Sequence, residues 1–138
     1  MRRIHLLRFE ADVEELGDLV AELEGLDLRA GWLEFSEPEP LPQGLASAAA
    51  TGVLRAVAVG SQGAVTIKPR RGEAVLKDLL REHFGGCQVV FVRGGEVEAP
   101  RLRRRGSGWA VVPSGGKEFF CDDQGLARRL RRPRPWSG

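Results

Sequence analysis

Short apolar runs broken by charged and glycine-rich turns dominate the chain, and two segments switch to a helical period. Ile4–Phe9 reads as a strand with arginine flanks. Asp12 then caps a helix, and Glu15 completes a capping box. Val13, Leu16, Leu19, Val20 and Leu23 recur at helical spacing, so one stripe faces a core, while Glu14, Asp18 and Glu22 lie on another face. Gly25 fits the helix end. Leu28–Phe35 reads as a second strand, and Glu37-Pro38-Glu39-Pro40-Leu41-Pro42 forces extended chain, because each proline removes a donor and restricts its predecessor. Gln43–Ala50 fits a short helix or a loop.

Leu54–Val59 and Ala64–Lys68 flank Gly60-Ser61-Gln62-Gly63, which has hairpin-turn chemistry. A second strong helix is expected from Glu73 to Phe84, with Val75, Leu76, Leu79, Leu80 and Phe84 as its stripe and Gly85-Gly86 as its stop. Gln88–Arg93 is strongly apolar, which suits a central strand. Glu96–Leu102 and Gly108–Pro113 read as another hairpin, with Arg103-Arg104-Arg105-Gly106 at the turn. Phe119-Phe120 precedes Asp122, the cap of a third helix through Arg132, which Pro133 ends. The pattern is α+β: a single mixed or antiparallel sheet packed by two main helices, with a short third helix and a basic tail. Residues 1–127 form the expected domain and 128–138 the Arg/Pro-rich tail.

At 138 residues the chain has the length of one domain and needs neither disulfides nor a metal to build a core. Apolar residues are 42% and charged residues 29%, as in globular chains, which argues against disorder throughout. No apolar run approaches the ~20 residues of a membrane span, and no signal peptide is visible, so a soluble, cytoplasmic protein is expected. Charge changes the picture more. Residues 1–50 hold four arginines and eleven acids, a net of −7, and residues 51–138 hold seventeen bases and eight acids, a net of +9. Such a split suits a polyanion-binding face, or a bipolar surface that pairs with a copy of itself.

Two segments carry candidate chemistry. Arg128, Arg129, Arg131, Arg132 and Arg134, with no acid among them and Trp136 beyond, could neutralise phosphates in a salt-sensitive way, with Trp136 stacking on a base. Folding back over the acidic helix with Trp136 as an apolar anchor, and plain disorder, are the alternatives. Lys68, Arg70 and Arg71 precede a helix start, where an anion could sit, but their spacing matches no phosphate-binding fingerprint and a solvated basic turn is the plainer reading. His5 and His83 with Cys87 and Cys121 lack zinc-ligand spacing. No nucleophile elbow is present. Neither a catalytic residue, a metal site nor a cofactor is indicated. Trp32 and Trp109 fall in strand-like runs and are expected in the core or an interface.

Ile4-His5-Leu6-Leu7-Arg8-Phe9-Glu10, then the acidic helix, then Leu28-Arg29-Ala30-Gly31-Trp32-Leu33-Glu34, resembles the opening of the plant-and-prokaryote-conserved (PPC) domain. The resemblance covers the N-terminal third. It implies an α+β sheet domain that assembles as trimers, and in plants such domains accompany an Arg-Pro-rich hook that enters the DNA minor groove. Arg132-Pro133-Arg134-Pro135 lacks that hook's central Gly-Arg-Pro. The clustered histidines of some prokaryotic members have no counterpart, so no metal site carries over, and Glu37-Pro38-Glu39-Pro40 replaces a glycine-rich turn. The expected function is a non-enzymatic homo-oligomer that binds nucleic acid through its tail and makes no membrane contact. An accessory or scaffold protein that uses the tail for docking, and a small-anion-binding protein or enzyme at Lys68–Arg71, are the alternatives.

Overall fold

A computed structural model describes residues 3–36, 43–68 and 75–137. The proline-rich stretch 37–42 and most of the basic turn, 69–74, lie outside the described residues. In chain order the elements are β1 (His5–Phe9), a 3-10 turn (Val13–Leu16), α1 (Gly17–Gly25), β2 (Ala30–Glu34), α2 (Gln43–Ala50), β3 (Ala56–Gly60), β4 (Gly63–Ile67) and α3 (Leu76–His83). There follow β5 (Val89–Arg93), β6 (Arg101–Arg105), β7 (Gly108–Val112), β8 (Phe119–Cys121) and α4 (Asp123–Leu130). The chain divides into two compact units, residues 1–36 with 79–138, and residues 37–78.

The first unit holds a mixed six-stranded sheet in the order β2-β5-β1-β6-β7-β8, and the fold class is α+β. β2, β5, β1 and β6 run parallel, while β7 is antiparallel to β6 and to β8. Val89, Val90, Phe91 and Val92 are all buried, as an interior parallel strand apolar on both faces requires. β6 overlaps β1 only at Arg8↔Arg101 and Phe9↔Leu102. It starts where β1 ends, so the short segment between β5 and β6 need not retrace a strand's length.

One sheet face carries Leu7, Phe9, Val89, Phe91, Leu102, Trp109 and Val111, packed against Leu19 and Leu23 of α1 and Leu126, Ala127 and Leu130 of α4. Phe9 stands at its centre, with ring centroids 5.6 Å from Trp32, 5.8 Å from Phe91 and 5.5 Å from Trp109. Each such side chain contributes ~1.5–3 kcal/mol by leaving water.

Three local expectations change. Val13 is 48% exposed, because the residues after Asp12 form a 3-10 turn and the α-helical stripe starts only at Gly17. Val75 is exposed as well, one residue before α3 begins. Arg103, Arg104 and Arg105 lie on β6 rather than at a turn. The turn is Gly106-Ser107, where Gly106 takes φ 58°, a conformation cheap only for glycine.

The second unit pairs α2 with the β3–β4 hairpin. Leu45 and Ala56 are buried, while Leu54, Val57 and Val59 are exposed, Val59 by 81%. Among the described residues no helix is long and apolar enough to cross a membrane.

Candidate nucleic-acid interface

Asp122 lies just before α4 and accepts a hydrogen bond from the Gly125 amide at 2.7 Å, which satisfies one of the donors a helix start leaves open. The same helix buries Leu126, Ala127 and Leu130 and turns Arg128 to water. Arg128 and Arg129 of the expected tail therefore belong to a helix of the core. Beyond it the chain folds back. Arg129 donates to the Pro135 carbonyl at 3.2 Å and lies 4.3 Å over the Phe119 ring. Trp136 packs on the core, 5.9 Å from Phe119. His5 Nε2–H donates to the Arg132 carbonyl at 3.0 Å and ties the segment to β1.

Arg128, Arg131, Arg132 and Arg134 are exposed around this docked turn, and no acid lies between 128 and 137. Their charge is thus presented from a folded surface. Trp136, which the sequence suggests as a base-stacking group, is instead half-buried against protein.

A second basic surface was not singled out in the sequence. Arg101, Arg103 and Arg105 project from the face of β6 opposite the core, whereas Arg104 turns to the core side, 4.6 Å over Trp109. Glu10 holds the start of this row. Its Oε1 is 2.5 Å from Arg101 Nε and 3.7 Å from Arg103 Nε, and its Oε2 accepts from Arg101 Nη2 at 3.1 Å. The hydrogen bond from Arg101, with the charges of Arg101, Arg103 and Arg8, holds the Glu10 carboxyl below its usual range against the opposing effect of burial. The alternation Arg101-Leu102-Arg103 was the available signal, but the arginines after it mimic a polar turn.

Lys68 is exposed just after β4, and Arg70 and Arg71 lie outside the described residues. Among the described residues, no group of three or more His, Cys, Asp or Glu side chains could hold a metal ion. Burial pushes the Cys121 thiol up to about 11, which suits a packed side chain rather than a nucleophile. Glu14, Asp18 and Glu22 are exposed, and Trp109 is buried at the centre of the core. No family model matches the chain, and no curated protein matches it.

Proposed function

We propose that this chain is a non-enzymatic, cytoplasmic, homo-oligomeric protein that binds nucleic acid through Arg128, Arg131, Arg132 and Arg134, with Arg129 holding the turn that presents them. The observation that carries this reading is the docked C-terminal turn. Pro135 and Trp136 fix it on the core while Arg128, Arg131, Arg132 and Arg134 stay exposed. Arginines held on a folded turn lose less freedom on binding than those of a loose tail. They contact phosphates with little sequence choice, and Trp136 serves as the anchor. Assembly, which the PPC-like opening implies, multiplies weak contacts into avidity.

The test is anisotropy of a labelled duplex titrated with the full-length protein and with an Arg131→Gln/Arg132→Gln/Arg134→Gln variant. Binding by the wild type at low salt, weakened about tenfold or more in the variant, supports the reading. Absence of wild-type binding at low salt overturns it.

An accessory protein that docks on another protein is the second reading, favoured by the exposed Leu54, Val57 and Val59 of the small unit. Val57→Thr/Val59→Thr distinguishes its versions by light scattering. A fall in particle mass assigns the hairpin to self-assembly, and an unchanged mass leaves it for a different partner.

A further inference from the structure

The outer face of β6, β7 and β8 carries an exposed aromatic side chain beside the arginine row. In register, Arg103 opposes Ala110, which opposes Phe120, and Arg105 opposes Gly108. Small residues on the middle strand therefore separate the arginines of β6 from the ring on β8. Gly108 is small of necessity, because a Cβ there would meet the Cys121 carbonyl oxygen at 2.7 Å. Across this low strip the Arg105 guanidinium reaches to 4.2 Å from the Phe120 ring centroid. Phe120 is nevertheless 55% exposed.

We propose that this face is a platform for single-stranded nucleic acid, with Phe120 stacking on a base and Arg103 and Arg105 following the backbone phosphates. The proposal rests on the nucleic-acid reading above and adds a second surface, distinct from the C-terminal arginines, that takes a single strand. Three observations support the platform, the first of them specific to a single strand. A sheet face bearing an exposed ring can stack only on a base that is out of a duplex. Arginines two residues apart on a strand stand ~6.8 Å apart, a spacing within reach of successive phosphates along an extended strand. Arg105 already lies against the ring and would contribute cation–π and ionic contacts to the same nucleotide. Glu10 sits at the opposite end, neutralising Arg101 most strongly, and so marks where the charged track ends.

The full-length protein is titrated into a short labelled oligothymidylate and, separately, into a labelled duplex of the same length. Wild type, Phe120→Ala, Phe120→Trp and Arg105→Gln are compared, with thermal melts run alongside. The proposal expects Phe120→Ala to lose roughly tenfold in single-strand affinity, the loss of one stacked base. Phe120→Trp retains that affinity, Arg105→Gln weakens it, and duplex affinity changes less than about twofold with either Phe120 variant. Single-strand affinity unchanged in Phe120→Ala, or a wild type that binds the duplex alone, overturns the platform and leaves the C-terminal reading standing. A wild type that binds neither probe overturns both.

Discussion

Glu10 shows how one side chain sets the character of a surface. It follows directly on β1, holds Arg101 and Arg103, and cancels one positive charge in the field that a polyanion would meet. Glu10→Gln is therefore expected to tighten nucleic-acid binding a few-fold at low salt, which the anisotropy titration reads directly. The same residue predicts an acid limb in stability. Its folded carboxyl lies below the usual range because Arg101 bonds to it. Its contribution is accordingly complete above the ordinary carboxylate value of about 4.3 and is lost as pH falls through the lowered folded value. Urea midpoints measured down to about pH 3 should fall less steeply in Glu10→Gln than in the wild type. His5 acts over a higher range. Burial lowers its pKa, opposed by the bond to the Arg132 carbonyl. The neutral ring's stabilisation is present above about 6.5 and fades as pH drops through the lowered value.

The C-terminal element is part of the fold. Leu130 is 1% exposed and Trp136 packs on the core, so a chain ending at Ala127 would lose both. Trp136→Ala is expected to cost about 2 kcal/mol, less than a fully buried tryptophan, measured as a shift in urea midpoint with unchanged slope. β2 makes a similar argument from space. A Cβ at Gly31 would lie 2.5 Å from Phe84 Cδ1 and 3.3 Å from Cys87 Sγ. Gly31→Val should therefore cost about 1–3 kcal/mol, and Phe84→Leu in the same chain should recover part of it.

Sequence pattern carried much at this scale, since apolar periods mark α1, α3 and β5 without reference to any partner. It carried less wherever context decides. Val13 and Val75 satisfy a helical period but stand just before their helices start. The arginines of β6 have the polarity of a turn, and only pairing with Trp109 and Ala110 makes them a strand. Phe120 differs from Phe119 in nothing but parity, and parity became readable only once β8 was paired with β7. Trp136 looked like a ligand-stacking group because nothing in Pro-Arg-Pro-Trp discloses that the chain turns back onto Phe119.

At the scale of the whole molecule, the split between an acidic first third and a basic remainder resolves into surfaces. Glu14, Asp18 and Glu22 stay exposed, while the arginines of β6 and those following α4 form two basic areas of the larger unit. The smaller unit contributes no comparable charge among its described residues and offers exposed valines instead. Charge and exposed apolar surface are thus concentrated in different parts of the chain. The most direct measurement is the dependence of duplex affinity on salt for the full-length protein and for Arg131→Gln/Arg132→Gln/Arg134→Gln. The account predicts a linear fall of log affinity with log salt for the wild type, with a slope shallower by about 2–3 in the variant. Equal slopes in the two proteins, or wild-type affinity that does not change with salt, would contradict it.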